Sequence, residues 1–247
     1  MGNRQLAVIH CEARVPWQAP FAHKMQKGLT TLGIRSEITN AQRPRDARFA
    51  VLLGTTYWRD IEASGQPFLL VDRASFRDPE YVSLVWNGHG RRGDHCVPPR
   101  IDDRRWQTIG IAVQPWHRPR GKGLIVIAGQ TEPYTPRFRS MRDWYATHPE
   151  ATHYRPHPAE PINPTLLPVW QSLDQVARLV TLNSSVGVDA VLAGISTTVD
   201  DEGGMAYPGF QADDDRRSWL AWLAWTQWSH TEIESGEPIR HLFDKYL

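Results

Sequence analysis

Residues 124–132 have the sequence LIVIAGQTE, in which five apolar residues run directly into a glycine and a polar turn. A continuous apolar run is typical of a parallel strand that is buried on both faces, whereas a half-exposed strand alternates. This segment therefore predicts a buried strand over Leu124–Ala128. Ligands of open α/β sheets bind beyond the carboxyl ends of such strands. Gly129, Gln130 and Thr131 are accordingly candidates for ligand binding.

The same type of segment recurs along the chain and alternates with helical patterns. Further strands are predicted at Leu6–Ile9, Phe49–Leu53, Phe68–Val71 and Leu179–Leu182. Helices are predicted at Phe21–Leu32, Arg137–Thr147 and Val186–Ala193. Alternation of strands and helices implies right-handed βαβ units around parallel sheets. The fold class expected from this order is α/β.

A segment rich in proline, glycine and basic residues, QPWHRPRGKG at Gln114–Gly123, disfavours both helix and strand. It separates two blocks of similar plan, residues 1–113 and 122–208, which we expect to form two Rossmann-like halves. Residues 213–247 follow them, and a short helix is predicted near their end at Ile239–Tyr246. We expect the helices of this C-terminal segment to pack across both halves.

The C-terminal segment opens with three aspartates at residues 213–215 and continues as a helical pattern over Arg216–His230. Acidic residues at a helix N-terminus favour the helix dipole, a simpler interpretation than a metal site. Tryptophan recurs at every third position of this pattern, at Trp219, Trp222, Trp225 and Trp228. A step of three residues rotates about 300°, so the row drifts around the helix. We expect the middle pair to be well buried and one of the outer pair to be exposed.

The composition is that of an ordinary globular protein, with 40% hydrophobic and 22% charged residues. The net charge is only +1, so the whole molecule offers no electrostatic argument for nucleic acid or for a membrane. No apolar run approaches the roughly 20 residues that span a bilayer. The N-terminus also lacks the apolar run of a signal peptide. We therefore expect a cytoplasmic protein with no membrane partner.

Metal and dinucleotide sites are not expected from the sequence. Cys11 and Cys96 have no nearby second cysteine, and a cluster of His89, His95 and Cys96 lacks a fourth ligand. The acidic run at Asp200–Glu202 lies in a glycine-rich loop and is interpreted as solvated. The first strand is followed by the sequence HCEA rather than by GxGxxG, which argues against an NAD-dependent oxidoreductase.

His157 stands between Pro156 and Pro158. Each proline restricts its own backbone and that of its predecessor, so the direction of the imidazole is defined. An imidazole N–H donates well to a phosphate oxygen, and Arg155 adds positive charge. The alternative is a loop histidine that makes a structural hydrogen bond.

The sequence LNSSVGVDA, which begins at Leu182, indicates a strand end, a polar turn and a helix start. The residues concerned are Asn183, Ser184, Ser185, Val186 and Gly187. Two hydroxyls and the N–H groups of a helix N-terminus can form an anion site. The alternative is simple N-capping by one of the two serines.

Taken in order, these motifs resemble those of a known enzyme family. Gly129-Gln130-x-Glu132 is followed by His157-Pro158, then by Ser184-Ser185-Val-Gly and a helix that ends in Ala-Gly. This order resembles the capsule-type Kdo transferases and related GT-B glycosyltransferases. The resemblance implies two Rossmann-like halves that face a cleft. It also implies that the His-Pro and Ser-Ser motifs hold a UDP- or CMP-linked sugar, with no other cofactor and no metal.

The first half carries a second resemblance. The matching segments are Val71–Asp78, Tyr81–Ser83, Trp86–Gly88, Gly93-Asp94 and, in the tail, Gln227–Glu237. They are similar to phage-encoded GT-B-like proteins. This resemblance implies a hydroxymethylated pyrimidine in viral DNA as the acceptor, and the host cytoplasm as the location. Ala74 and Ser75 replace the usual Gly-Tyr, and Arg73 stands where some capsule enzymes have a catalytic acid.

Inverting sugar transfer needs a carboxylate that takes the proton of the acceptor hydroxyl, and a site that stabilises the departing phosphate. In GT-B enzymes the carboxylate usually comes from the first half. Asp72 follows an apolar strand and is the first candidate for this base, with Asp78 and Asp94 as further candidates. The alternative for each is a solvated acid or a partner of a nearby arginine.

Acceptor binding is assigned to the neighbouring residues Asn87, His89, Arg91 and Arg92. Arginines at positions 91, 92, 100, 104 and 105 form a local basic group that suits the phosphates of DNA. Two other functions fit the same motifs. One is a CMP-sugar-dependent transferase that acts on polysaccharide or glycan, and the other is an inactive module that binds nucleotide-sugar or DNA. No motif bears on the oligomeric state.

Overall fold

The computed structural model describes residues 7–12, 14–41, 46–76, 79–95, 97–118, 123–130, 137–157, 167–168 and 175–246. The chain forms two compact units. The first unit contains Met1–Ile109 together with Ser218–Leu247, and the second unit contains Gly110–Arg217.

The elements alternate along the chain much as the apolar pattern predicts. The strands are β1 Ala7–His10, β2 Ser36–Thr39, β3 Phe49–Leu53, β4 Phe68–Arg73, β5 Tyr81–Trp86, β6 Leu124–Ala128, β7 His153–Arg155, β8 Leu167–Pro168, β9 Val176–Thr181, β10 Ser196–Val199, β11 Gly209–Phe210 and β12 Gln227–Ser229. The helices are α1 Gln18–Thr31, α2 Trp58–Ala63, α3 Arg104–Ile109, α4 Met141–Tyr145, α5 Val186–Leu192, α6 Arg217–Trp225, α7 His230–Ser235 and α8 Glu237–Tyr246.

The six-stranded sheet of the first unit has the order β12-β5-β4-β3-β1-β2. The pairs from β2 to β4 are parallel, whereas β5 and β12 join the sheet antiparallel. β1 and β3 are buried along their whole length, in agreement with their continuous apolar sequences.

The hydrophobic core of the first unit combines residues from both ends of the chain. α1 contributes Phe21, Met25 and Leu29, whose spacing of four places them on one helix face. The C-terminal segment contributes Trp228 and Ile233, both fully buried. The first unit therefore includes the last 30 residues of the chain, and several of them lie in its core.

The six-stranded sheet of the second unit has the order β11-β10-β9-β6-β7-β8. Its pairs are parallel from β10 to β8, and β11 pairs antiparallel with β10. Trp144 of α4 and Tyr154 of β7 pack with Ile127 in one core cluster, and Ala190 of α5 packs with Val126 in another. This unit is built from one continuous stretch of chain.

The predicted α/β class is confirmed, and the strands Phe49–Leu53 and Leu124–Ala128 have the predicted bounds. The helix predicted at residues 137–147 is shorter and spans Met141–Tyr145. Its start is set by Ser140, whose hydroxyl accepts a hydrogen bond from the Asp143 N–H.

The single helix predicted over Arg216–His230 is wrong. α6 ends at Trp225, β12 then pairs with β5, and a new helix begins after Ser229. Ser229 and Glu232 form a reciprocal capping box, which stabilises that new start. Pairing with the edge of β5 satisfies the backbone N–H and C=O groups that a continuous helix would have satisfied internally. Only the tertiary structure brings that edge next to this segment.

The burial expected for the tryptophan row is also wrong. Trp219 and Trp228 are buried, whereas Trp222 and Trp225 are half-buried. Trp228 lies on a strand rather than on the helix, so the rotation expected from helical geometry does not apply to it.

The proline-rich segment after residue 113 begins within the second unit. The Gln114 N–H donates to Leu192 O, and the His117 N–H donates to Gly194 O, at the end of α5. Arg216 donates to Val191 O and to Gln114 O, which fixes the other end of the unit. That the C-terminal helices pack across both halves stays a prediction. Among the helices that the structure describes, none is long and apolar enough to cross a membrane.

Candidate functional site

The topology of the second unit marks one edge of its sheet as the place for a ligand. From β6 the chain adds β7 and β8 on one side, and it then returns to add β9 and β10 on the other side. Ligands of open parallel sheets bind at such a crossing, outside the carboxyl ends of the strands. Gly129 and Gln130 follow β6, and Asn183 follows Leu182 just after β9, so the structure brings these predicted residues to the crossing. His157 follows β7, the neighbour of β6, at the same edge.

Gly129 is required by the close approach of the chain after β7. Its N–H donates to Arg155 O at 2.7 Å. A Cβ at this position would lie 2.5 Å from Tyr154 Oη and 2.8 Å from the backbone nitrogen of His157. The glycine thus makes room for the segment that carries His157, and its predicted role in ligand binding stays a prediction. Thr131 and Pro158 lie outside the described residues.

The two serines differ in their surroundings. Ser184 Oγ accepts from the Val186 N–H at 3.4 Å, which is a weak cap. Ser185 is the N-cap residue of α5, but its hydroxyl makes no capping hydrogen bond within the part of the chain that the structure describes, and the residue is exposed. N-capping therefore does not explain why a serine stands at position 185.

The backbone N–H groups at the start of α5 are less available than the sequence suggested. The Gly187 N–H donates to Ser184 O, and the Val188 N–H donates to Ser185 O. Gly187 packs against Thr181, since a Cβ there would lie 3.1 Å from Thr181 Cγ2. At this edge the hydroxyl of Ser185 is thus a better donor to an anion than the helix backbone is.

Asn183 and two of the acids in residues 200–202 are held within the unit. The Asn183 amide donates to the Asp201 carboxylate at 3.0 Å, and the Gly203 N–H donates to the same carboxylate at 2.8 Å. Asp201 is 3% exposed, so the expectation that this acidic run is solvated is wrong for it. It is also wrong for the half-buried Asp200, and holds only for the exposed Glu202. Burial is tolerated because each buried carboxylate accepts hydrogen bonds.

Asp200 follows β10 at the same edge and binds two aromatic side chains. Trp144 Nε1 and His148 Nε2 each lie 2.6 Å from Asp200 Oδ2. Burial alone would raise the pKa of Asp200, but the hydrogen bonds from His148 and Trp144 outweigh it and hold that pKa below its ordinary value. The hydrogen bond to Asp200 raises the pKa of His148 against the opposing effect of burial. The cluster anchors α4 to the loop after β10.

The first unit has a corresponding crossing between β1 and β3. From β1 the chain adds β2 on one side and then β3 and β4 on the other. Glu12 follows β1, and Thr56 follows β3. Glu12 is 8% exposed, its N–H donates to Gln18 Oε1 at 2.6 Å, and its carboxylate accepts from Arg14 Nε at 3.0 Å. Sequence reasoning missed Glu12, although an acid directly after the first strand was the available signal.

The Glu12 carboxylate is stabilised in its charged form. A hydrogen bond from Thr56 lowers the pKa of Glu12, burial opposes this, and Arg14 adds to the lowering, so that the pKa lies below its ordinary value. The carboxylate therefore links the loop after β1 to the loop after β3.

Asp72 and His89, predicted separately as base and acceptor-binding residue, lie together. Asp72 is the next-to-last residue of β4, and its side chain is 34% exposed. Asp72 Oδ2 is 3.5 Å from His89 Nε2, and Asp72 Oδ1 accepts from the Arg73 N–H. The imidazole of His89 stacks on Trp58, with 5.8 Å between ring centroids. Asp78 lies outside the described residues.

The remaining predicted residues of the first unit lie elsewhere. The Asp94 carboxylate accepts hydrogen bonds from Lys245 and Tyr246 of α8. Asn87 Oδ1 accepts from the Phe68 N–H, at the amino end of β4 and thus away from the carboxyl edge. These two side chains therefore have structural contacts of their own.

Arg91 and Arg92 lie in a turn after β5. The Arg91 guanidinium lies over the Trp222 ring, 4.5 Å from its centroid. Both arginines, with Asp94 and Trp222, line a pocket of about 430 Å³. Among the described residues, no three His, Cys, Asp or Glu side chains are grouped to hold a metal ion.

Comparison with known proteins finds similarity in structure alone. No family model matches the chain, and no curated protein matches its sequence. A solved structure of Thermosulfurimonas dismutans KpsC, described as a beta Kdo 2,7 transferase, superposes with a TM-score of 0.53 at 13% identity, and the match covers 95% of this chain and 99% of that one. The fold is shared with a Kdo transferase. At this identity the match shows the fold and nothing finer.

A second structure from the same organism, described as KpsC, beta Kdo 2,4 transferase, gives a TM-score of 0.46 at 11% identity, with 90% of each chain covered. This weaker overlap adds nothing to the fold assignment. Neither of the two is named as a DNA-modifying enzyme.

Proposed function

We propose that this protein is a glycosyltransferase that moves a sugar from a nucleotide-sugar to a hydroxyl group. One observation carries the proposal. Gly129, Gln130, His157 and Ser185, predicted from scattered motifs, come to one carboxyl edge at the chain crossing of the second unit. The fold shared with a beta Kdo 2,7 transferase supports the same function.

The proposed donor site uses side chains rather than a metal. Ser185 offers an exposed hydroxyl, and His157 offers an imidazole on a proline-restricted segment. Both can donate to the oxygens of a UDP- or CMP-linked phosphate. Arg155, exposed at the end of β7, adds positive charge. Hydrogen bonds to charged groups contribute about 1.5–3 kcal/mol each, so these donors suffice for a micromolar-range nucleotide site only when they act together.

The proposed base is Asp72 of the first unit, with His89 beside it. The proposal includes the GT-B arrangement in which the two halves face a cleft. The acceptor oxygen attacks the anomeric carbon while the bond from that carbon to the phosphate oxygen breaks. The hydroxyl proton passes to Asp72, and the phosphate keeps the electron pair. A single displacement of this kind inverts the anomeric centre.

The acceptor in this proposal is a saccharide, as the name of the neighbouring beta Kdo 2,7 transferase suggests. Hydroxymethylated DNA is the second candidate, favoured by Arg91 and Arg92 beside the pocket of the first unit. The group of five arginines that the sequence predicts as phosphate contacts is smaller in the structure, because at least one of them is bound elsewhere. Arg105 donates to Ala224 O and Gln227 O and pairs with Glu232, all within the first unit, so it is not a phosphate contact.

Two measurements test the function. The first is thermal unfolding with CMP, UDP, GDP and their sugars, because a ligand at a hundredfold excess over Kd adds about 2.7 kcal/mol of stability. The second incubates labelled nucleotide-sugars with a Kdo oligosaccharide, with hydroxymethylated DNA and with unmodified DNA of the same sequence.

Label in the oligosaccharide supports the saccharide acceptor, and label in the hydroxymethylated DNA alone supports the second candidate. Nucleotide binding without any transfer would instead indicate an inactive binding module. Absence of nucleotide binding would refute the donor site and the function with it.

A further inference from the structure

The loop after β10 binds the turn that carries the serines of the second unit. The Asp201 N–H donates to Leu182 O at 2.9 Å, and the Asp201 carboxylate accepts from the Asn183 side-chain amide at 3.0 Å. One residue thus binds two consecutive positions of the turn, through its backbone and through its side chain. Ser185 stands only two residues after Asn183, which is at most about 7 Å of chain. The position of the Ser185 hydroxyl therefore depends on this attachment.

The loop after β10 is itself fixed at several points. The Asp200 N–H donates to Thr181 O at 3.1 Å, and the Asp200 carboxylate accepts from Trp144 of α4. A Cβ on Gly204 would lie 3.1 Å from Asn183 Cα, so the loop packs directly against the turn. These contacts make the loop a fixed support on which the turn rests.

The Asp201 side chain does not suit direct contact with a nucleotide. A carboxylate only accepts hydrogen bonds, and its negative charge repels a phosphate. Asp201 is also 3% exposed, and each of its carboxylate oxygens already accepts a hydrogen bond, one from Asn183 and one from the Gly203 N–H. A buried acid so close to the proposed phosphate site can therefore assist binding only through the turn that it holds.

We propose that Asp201 is a positioning residue of the donor site, which acts through the Asn183 amide to hold the turn that presents Ser185 to the nucleotide phosphate. This inference rests on the proposed function and adds a supporting residue to its donor site. It also gives Asn183 a different role from the one predicted from sequence, because Asn183 acts here with Asp201 and not as a phosphate ligand. A turn that is already fixed does not have to be ordered when the nucleotide binds, which favours affinity.

The test measures the affinity of the full chain for UDP and CMP by calorimetry. Asp201→Asn keeps the size of the side chain but leaves one acceptor oxygen for two hydrogen-bond donors, Asn183 and Gly203. Charge and positioning predict opposite signs for this variant. Loss of a negative charge near a phosphate should tighten binding, whereas loss of the hold on the turn should weaken it. Glu202→Gln is the matched control, because Glu202 is exposed and its substitution removes the same charge from the same loop.

Asn183→Ala removes the other partner at a half-buried position, with less risk to folding. Two residues that act as one unit give a double variant that is no weaker than either single variant, whereas independent contacts add. We expect Asp201→Asn and Asn183→Ala each to raise the Kd about tenfold, the lower end of the loss for a hydrogen bond to a charged group. The double variant should raise it no further, and Glu202→Gln should leave it unchanged or lower it.

Unchanged or tighter nucleotide binding in Asp201→Asn would overturn the proposal. Additive losses in the double variant would also overturn it, because Asn183 would then contact the nucleotide directly. Ser140→Ala lowers stability at the cap of α4, so an equal loss of affinity in that variant would show an effect of stability alone and would refute the role of Asp201. A wild type that binds no nucleotide refutes the proposed function and this role together, whereas a wild type and an Asp201→Asn variant that bind equally well refute this role alone.

Discussion

Both units have a largely parallel sheet with a chain crossing, yet they are closed in different ways. The second unit is one continuous stretch, Gly110–Arg217, and its edge residues follow successive parallel strands. The first unit needs Ser218–Leu247 to complete its sheet with β12 and its core with Trp228. A unit made of one continuous stretch can fold through contacts between residues that are close in sequence. A unit made of two stretches depends on a contact between distant parts of the chain.

The difference extends to the chemistry at each edge. In the second unit, His157 and Ser185 stand in short motifs whose local sequence already suggests anion binding. In the first unit, Glu12 meets Thr56, and Asp72 meets His89, across separate loops. Local motifs therefore identify the proposed donor side, and tertiary contacts assemble the proposed acceptor side.

The largest effect is expected from removal of the C-terminal segment. A chain that ends at Arg217 loses β12 and the buried residues Trp228, Ile233, Ile239 and Leu242. Each large buried side chain is worth about 2–5 kcal/mol, so the four together are comparable to the 5–15 kcal/mol that stabilises a typical domain. We expect the first unit to be unfolded in this fragment, as seen by near-UV circular dichroism and urea titration. A fragment with full-length cooperativity would contradict the division into units.

The next effect concerns the base. Asp72→Asn should lower the rate of sugar transfer by about 10² to 10⁴ and leave nucleotide affinity unchanged. Asp94→Asn is the comparison, because its carboxylate is held by Lys245 and Tyr246 and its loss should act mainly on stability. Transfer rates at saturating donor check both. If Asp94→Asn is inactive and Asp72→Asn is active, the role of base moves to Asp94.

A smaller effect separates donor binding from helix capping in the second unit. Ser185→Ala should weaken nucleotide binding about tenfold to a hundredfold without loss of stability, because its exposed hydroxyl makes no cap among the described residues. Ser140→Ala should do the reverse and lose about 1 kcal/mol, because Ser140 caps α4. Calorimetry with CMP or UDP and urea unfolding distinguish them. Unchanged affinity in both Ser185→Ala and His157→Ala would refute the donor site.

An effect of similar size is expected as a pH dependence within the second unit. The pair formed by His148 and Asp200 should contribute about 1.5–3 kcal/mol, which His148→Ala should remove. The raised pKa of His148 gives stability that is present below its ordinary pKa and is lost as pH rises through the raised value. The lowered pKa of Asp200 gives stability that is present above its ordinary pKa and is lost as pH falls through the lowered value.

The difference in unfolding free energy between wild type and His148→Ala should therefore be largest in the window between these two pKa values. Urea unfolding from acid to mildly alkaline pH measures it. A difference that does not change with pH would show that the two side chains contribute by packing alone.

Much of this protein follows from sequence alone. Continuous apolar runs such as Leu124–Ala128 determine buried parallel strands, because a strand covered on both faces has no polar positions. The α/β class and the location of the proposed donor residues at strand ends follow from the order of such runs. These are local properties, which depend on residues that are neighbours in the sequence.

Only the tertiary structure decides the rest. Gln227–Ser229 continues a helical pattern but forms a strand, since the edge of β5 offers it backbone partners. Gly129, predicted from the sequence to bind a ligand, also accommodates the segment that carries His157. The Glu12 carboxylate gains the hydrogen bond that lowers its pKa only where the loop after β3 brings Thr56 to it. In each case the partner that decides the outcome is distant in sequence. No local sequence pattern indicates which distant groups will come into contact.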